Sequence, residues 1–291
     1  MLLSALISGI GLGSMYGLLA LGFYITYAVS GTVNFAQGSS MMLGAVLCFC
    51  FTQTMGLPMW LSIVFALALC AAYGLLVELL AVRPFASRGS NAWLMSTVAL
   101  GIVLDNLVMH TFGKEPRSLP SDLAMMPIEI GGIGLGVYPL QLLIPVLGLA
   151  LAALLHTISR RTRWGIAMLA VVQNRQAAQL MGIPIKRTIA AAFALSALLA
   201  GVAGILIAPL FNVNADMGTL FGLKAFAVAI LGGITSAWGV MLAGLLFGIV
   251  EALVTSSLGS GYTQIITFAL VIVVLAVRPN GLFGQNEVKK V

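Results

Sequence analysis

Apolar runs long enough for a helix to cross a bilayer follow one another almost from the first residue, and polar breaks between them set the elements. The first run covers residues 4–28, with Gly9, Gly13 and Gly17 at every fourth position. On a helix that spacing leaves one smooth face for close approach of another helix. Ser30-Gly31-Thr32-Val33-Asn34 breaks it, and a second run spans residues 35–53. Met55-Gly56-Leu57-Pro58 marks the next turn. A third run, residues 60–80, leads through Glu78 to Arg83-Pro84, and a fourth, residues 91–112, carries Asp105 and Asn106 inside it. Residues 113–138 form a connection rich in Gly and Pro, with a short apolar patch at Met125, Met126 and Pro127. Further runs cover residues 139–158, 188–211, 220–234, 240–258 and 262–277. Two of them repeat small residues at spacing four: Ala200, Gly204 and Ala208, then Gly244, Gly248 and Ala252. The run at 220–234 is short and Gly-terminated, as a segment that stops partway through the bilayer would be. The pattern predicts an all-α, polytopic helical membrane protein with eight or nine transmembrane or re-entrant helices, in one domain over residues 1–291.

Composition strengthens this. Hydrophobic residues make up 60% of the chain and charged ones 8%, against about 25% charged in a soluble domain. No Asp, Glu, Lys, Arg or His precedes Glu78, room for about three crossings at about 20 residues each. A β-barrel would alternate apolar and polar residues at period two, and no such alternation runs through the chain. The opening MLLSALISGI lacks the cationic leader of a cleaved signal peptide and is read as mature protein.

Charge gives the orientation. Eleven of the fourteen cations fall on one set of loops: Arg83 and Arg88, six between Arg160 and Arg187, then Arg278, Lys289 and Lys290. Lys114 and Arg117 fall on the other side, beside Glu115, Asp122 and Glu129. This is the positive-inside pattern and not a nucleic-acid footprint. It predicts an N-terminus outside, a cytoplasmic C-terminus, and the bilayer as the chain's solvent. Cys48 and Cys50 point to different sides of a helix, so they and Cys70 read as free thiols.

The central cytoplasmic loop, residues 159–187, is more than a linker. Asn174 is a good N-cap, no breaker follows before Gly182, and Pro184 confirms the stop. The spacing predicts a two-turn helix from Arg175 to Met181 exposing Ala177, Ala178 and Met181. So short a helix is marginal alone in water, which suits docking in the groove of a soluble partner.

Residues for catalysis are lacking. His110 and His156 sit near span ends with no paired Ser or Cys. Gly113-Lys114 runs into Glu115 and no G-x-x-x-x-G-K-[ST] motif occurs, which excludes a P-loop; no metal set is apparent. The polar break holds more interest. Asn34, Gln37, Ser39 and Ser40 interrupt a crossing, and irregular backbone at membrane depth survives only where protein or a watery cavity covers it. The alternative is that Asn34 caps the second span and the cluster is a turn. Asp105, Lys224 and Glu251 are the ionisable residues inside apolar runs, each costing about 2.5–3.5 kcal/mol at mid-bilayer on insertion scales. Lys224 is expected to snorkel or meet Asp216; helix–helix hydrogen bonding and solute contact both fit Asp105 and Glu251.

Three groups of residues together carry a resemblance. Tyr16-Gly17 through Gly22, leading into Val33-Asn34-Phe35-Ala36-Gln37-Gly38, is similar to the opening of the branched-chain amino-acid ABC permeases, the LivH-like half. Gln176-Ala177-Ala178 with Met181-Gly182-Ile183 resembles that family's cytoplasmic coupling loop. Gly222-Leu223-Lys224-Ala225-Phe226, Leu231-Gly232-Gly233-Ile234 and Arg278-Pro279-Asn280-Gly281-Leu282-Phe283-Gly284 match its C-terminal half. The resemblance implies a type II ABC importer-like permease of the bacterial inner membrane, non-catalytic itself. Its implied partners are a second, LivM-like permease, two cytoplasmic ATPases holding ATP and Mg, and a periplasmic solute-binding protein; this chain would need no cofactor. Arg175, Gln176, Ala177, Ala178, Met181 and Gly182 would form the coupling helix, and Asn34, Gln37, Ser39 and Ser40 would border the pathway. Gln37 and Ser39 replace the family's usual His and Glu, and Gln176 stands where an acid is common. Those departures widen the expected solute to branched-chain amino acids and related small polar or carboxylate compounds. Two other classes compete: a passive channel for a neutral solute such as urea, and a secondary transporter using Asp105 and Glu251.

Overall fold

The computed structural model describes residues 2–86, 90–125, 129–130, 133–134 and 138–284. The cations Arg88, Lys289 and Lys290, and Met126 and Pro127 of the apolar patch, lie outside the described residues. Among the described residues thirteen α-helices follow in chain order: α1 (Leu2–Ser30), α2 (Gln37–Phe49), α3 (Met59–Val77), α4 (Arg83–Ala86), α5 (Trp93–Phe112), α6 (Asp122–Met125), α7 (Pro139–Arg161), α8 (Arg163–Gln173), α9 (Arg175–Leu180), α10 (Ile185–Ile207), α11 (Met217–Gly232), α12 (Ala237–Leu258) and α13 (Ser260–Val277). A two-residue antiparallel pair, β1 (Glu129–Ile130) with β2 (Ile133–Gly134), lies in the long connection. Among the described residues, seven helical stretches are long and apolar enough to cross a membrane. The shorter apolar α11 makes eight among the described residues, within the eight or nine the hydropathy pattern predicts.

Two helices end in wider π turns, Cys50–Thr54 after α2 and Glu78–Val82 after α3. A π turn closes hydrogen bonds from i to i+5, which brings residues five apart over one another. Glu78 and Arg83 use this: Arg83 Nε and Nη2 donate to the two carboxylate oxygens at 3.0 and 2.8 Å. A bidentate pair of this kind is the strong form of the interaction.

The chain divides into two compact units. In unit 2 (Ile25–Pro120 and Ala153–Leu223), α2 is wrapped by α3 and α10. Glycine permits the approach. A Cβ on Gly44 would stand 2.6 Å from Gly201 Cα, and one on Gly204 would run into the Met41 carbonyl oxygen. Ala200 on α10 and Ala208 just past its end, the other members of that stripe, have no exposed surface. The connection after α5 is pinned in the same unit. Arg117 and Val213 exchange backbone hydrogen bonds at 3.0 and 2.8 Å, and the Arg117 guanidinium lies 4.6 Å from the Phe112 ring centre.

In unit 1 (Met1–Tyr24, Ser121–Ala152 and Lys224–Val291), the other two small-residue stripes meet each other. Gly9 faces Ala252 and Gly248, Gly13 faces Gly244, and Gly17 faces Met241, so α1 and α12 run antiparallel along their glycine faces. Tyr16 packs edge-on against Phe247, ring centres 5.6 Å apart. The segment after α13 folds back on the turn after α11: Leu282 N–H donates to the Leu231 carbonyl at 2.7 Å. Gly233 and Gly281 both take left-handed φ, +82° and +80°, where they touch. The Leu231–Ile234 and Arg278–Gly284 motifs are therefore two halves of one structural joint.

Candidate functional site

Three polar features stand out from the apolar bundle. The first is the break between α1 and α2. Gly31 turns the chain with φ +67°, and side chains then meet the backbone groups that no helix satisfies. Ser30 Oγ accepts from Thr32 N–H at 3.1 Å, Asn34 Oδ1 accepts from Ala36 N–H at 3.1 Å, and Thr97 Oγ1 accepts from Phe35 N–H at 3.4 Å. Ala36 and not Asn34 occupies the N-cap position of α2, but Asn34 holds that first turn in the way the capping alternative requires. Gln37 is bound on both atoms of its amide: Ser196 Oγ donates to Oε1 at 2.8 Å, and Nε2 donates to the Ser196 carbonyl at 3.0 Å. Asn34, Gln37 and Ser40 are fully buried, and Ser39 is nearly so. The half-buried Asp105 is a hydrogen-bonding neighbour of Ser39.

These bonds give Gln37 a structural share that no pattern in the sequence announces. Replacing it with leucine removes both of these buried bonds to Ser196, at about 1–3 kcal/mol. Thermal unfolding of the detergent-extracted Gln37→Leu protein is expected several degrees below wild type. An unchanged midpoint would contradict the described pairing.

The second feature is the arm between α7 and α10. The sequence reading places one short helix in the 159–187 loop, after Asn174; the structure forms a second ahead of it, α8, capped by Thr162 Oγ1 accepting from Gly165 N–H at 3.0 Å. Gly165, Met168 and Val171 form its buried face. The helix expected after Asn174 is present as α9, with Asn174 Oδ1 accepting from Ala177 N–H at 3.0 Å. Gly182 ends it at φ +81° with open space around it. One expectation is corrected: Ala178 is buried and not exposed, because α9 lies against α8 and α10 and turns that methyl inward. Arg175 is also committed, donating from Nη2 to the Val29 carbonyl at 3.0 Å. What α9 presents outward is Gln176, Ala177, Gln179 and above all Leu180 and Met181, 89% and 83% exposed. The sequence reading passed over Leu180. Its neighbourhood of Ala and Gln offered no period by which to single it out.

The third feature corrects the reading of Lys224. It neither snorkels nor meets Asp216. Its ammonium donates to Glu251 Oε1 at 2.5 Å and to the Tyr16 hydroxyl at 3.3 Å, joining α11, α12 and α1. Lys224 and Glu251 are both buried. A lysine in apolar surroundings needs a counter-ion more than a route to water when one is in reach. Removing one partner of such a pair typically costs about 3–5 kcal/mol.

A many-span helical bundle, a buried polar break and a capped arm with an exposed apolar end together define a polytopic membrane permease. The chain belongs to the family described as branched-chain amino acid transport system / permease component, whose model matches residues 5–275. It is 35% identical to the high-affinity branched-chain amino acid transport system permease protein LivH of Escherichia coli K12, over 99% of this chain and 97% of that one. It is 34% identical to the corresponding permease protein BraD of Pseudomonas aeruginosa, over 99% and 98%. Among solved structures, PsaBC from Streptococcus pneumoniae in complex with Fab superposes with a TM-score of 0.50 at 14% identity, over 93% of this chain and 89% of that one. That last likeness is one of fold.

Proposed function

We propose that this chain is the membrane-spanning subunit of an ATP-driven importer and forms half of the translocation pathway for branched-chain amino acids. The observation that carries the reading is full-length similarity, above a third identical, to permeases named for that transport. The exposed end of α9 supports it: Leu180 and Met181 form an apolar knob on a cation-flanked arm, shaped for the groove of a soluble partner. In this reading two cytoplasmic ATPases hold ATP and Mg, a second, LivM-like permease completes the pathway, and a periplasmic binding protein selects the solute. The whole chain acts as one permease domain with residues 159–187 as its coupling arm. Arg175 and Ala178 then serve coupling by holding α9 in place, while Gln176, Ala177, Met181 and Leu180 make contact and Gly182 lets the chain leave. The solute passes beside the Ser39–Asp105 edge of the cluster built by Asn34, Gln37 and Ser40. Contacts there are weak, since a site that held the solute tightly would slow its exit.

The reading requires a bacterial inner-membrane protein with its N-terminus outside and its arm in the cytoplasm. Gln179 is exposed and unneeded by the cap, so a cysteine there, in a background lacking Cys48, Cys50 and Cys70, reports the side. An impermeant thiol reagent is expected to label it in inverted vesicles and not in intact cells. Labelling from outside intact cells overturns the topology.

A further inference from the structure

The face of α5 that lies along the polar break carries Thr97, Gly101 and Asp105 at spacing four, all within unit 2. Thr97 Oγ1 accepts from the Phe35 N–H. A Cβ on Gly101 would stand 3.0 Å from Ser39 Oγ and 3.5 Å from Ala36 Cα, so the break presses directly on this helix. Asp105, one turn further on, meets the same Ser39 side chain. Contacts with the break account for the first two positions. They do not account for Asp105, whose Oδ1 is shut off from solvent and has no hydrogen-bond partner.

Asp105 also has no counter-ion among the described residues. Two other acids are buried in helical stretches, and each has a cation: Glu78 has Arg83, and Glu251 has Lys224. The ionisable groups that act on Asp105 are Asp216 and Tyr73, and neither is a cation. Ser39 lies in the first turn of α2, whose N-terminal dipole relieves a negative charge only in part. Asp105 itself is about two turns from the end of α5, inside a stretch apolar enough to cross a membrane. An acid at that depth is a cost to the fold unless a cation or water meets it. An amide of the same shape would keep a hydrogen bond to Ser39 without that cost. Stability therefore gives no reason for a carboxylate here; the group it lacks is a cation.

We propose that Asp105 is the contact for the solute's ammonium group as the solute passes the break. An ammonium entering from water loses part of its hydration, and the carboxylate replaces it. Asp105 is only half-buried, which leaves the contact weak enough for release, as conduction requires. The inference rests on the permease reading above and narrows its solute to one that carries a protonated amine. A neutral amide or a bare carboxylate would gain nothing from Asp105.

The test compares two variants in the complete complex, reconstituted with ATPases, partner permease and binding protein. Asp105→Asn keeps the shape and removes the charge, while Asp105→Glu keeps the charge. The Asn variant is expected to assemble at wild-type yield, with an unfolding temperature no lower than wild type. It should carry at least about tenfold less leucine per ATP hydrolysed, the scale of one lost hydrogen bond to a charged group. The Glu variant should stay within about threefold of wild type. A lower unfolding temperature for Asp105→Asn makes the carboxylate a structural bond and overturns the proposal. Wild-type transport by that variant overturns it too, as does a Glu variant that assembles but carries no more leucine than the Asn one. In each of these cases an active wild-type complex leaves the permease reading standing. A wild-type complex that carries no leucine overturns the solute assignment, and this inference with it.

Discussion

Gly204→Leu is expected to abolish recovery of folded protein from the membrane, while Gly261→Leu is expected to leave it unchanged. Gly204 lies where α10 crosses α2, and a Cβ there meets the Met41 carbonyl oxygen, with Met41 C at 2.9 Å and Ala45 N at 3.2 Å. All three are backbone atoms of one helix, so no side chain can swing aside and α2 must shift bodily. α3 closes on both helices: the Cys70 thiol donates to the Ser40 carbonyl of α2 at 3.7 Å, and a Cβ on Gly201 of α10 would stand 2.8 Å from Cys70 Sγ. Overpacking commonly costs about 1–3 kcal/mol where side chains can adjust; here the adjustment would have to come from the most enclosed helix of the unit. Gly261 opens α13, with nothing within 4 Å of an added Cβ. Its substitution should fall within about 0.5 kcal/mol of wild type, as for surface changes generally. Size-exclusion profiles of detergent-extracted fusion proteins give the comparison. A monodisperse Gly204→Leu protein at wild-type yield would contradict the α2–α10 contact.

The second large effect concerns α9. Leu180→Asp combined with Met181→Asp is expected to detach the ATPases without unfolding the permease. The helix is held from within by the Asn174 cap, the Arg175–Val29 bond and the buried Ala178 methyl. None of these involves the two exposed side chains. If an apolar groove receives them, each carboxylate placed there loses a central contact and gains a desolvated charge. Interface centres of this kind carry about 2 kcal/mol or more per residue, so the pair weakens attachment by at least about a thousandfold. Co-purification of the ATPases on an affinity-tagged permease should fall to background while the permease peak is unchanged. Full co-purification would remove the exposed end of α9 from the contact and leave Gln176 and Ala177 to be tested next.

How far the chain announced this arrangement depends on whether a feature is local or tertiary. The apolar runs located the spans, and the cap and stop at Asn174 and Gly182 located α9, since both are written in a few consecutive residues. α8 was not anticipated, because what orders it is tertiary: Gly165 is the close-contact residue of its buried face, where a Cβ would strike the Ile158 carbonyl oxygen. The small-residue stripes were visible, but three similar stripes carry no label saying which pairs with which. Only the fold puts Gly9 to Gly17 against Gly244 to Ala252 and leaves Gly204 to α2. The Lys224–Glu251 pair was hidden for the same reason. The nearer acid in sequence, Asp216, drew the pairing, and the partner actually used lies 27 positions away on another helix. Similarly, the polar break showed its residues but not that Ser196 would take both ends of the Gln37 amide.

The central claim is that this chain passes a solute inward only when partner ATPases turn over ATP. Uptake of labelled leucine into proteoliposomes measures it most directly. The permease pair and ATPases are reconstituted, the binding protein is supplied outside, and Mg-ATP is sealed inside. Accumulation above the external concentration is expected with internal ATP, and none without it or without the binding protein. Leucine that merely equilibrates in the absence of ATP would show a passive channel, and accumulation that follows an imposed ion gradient would show a secondary transporter. Either result contradicts the account.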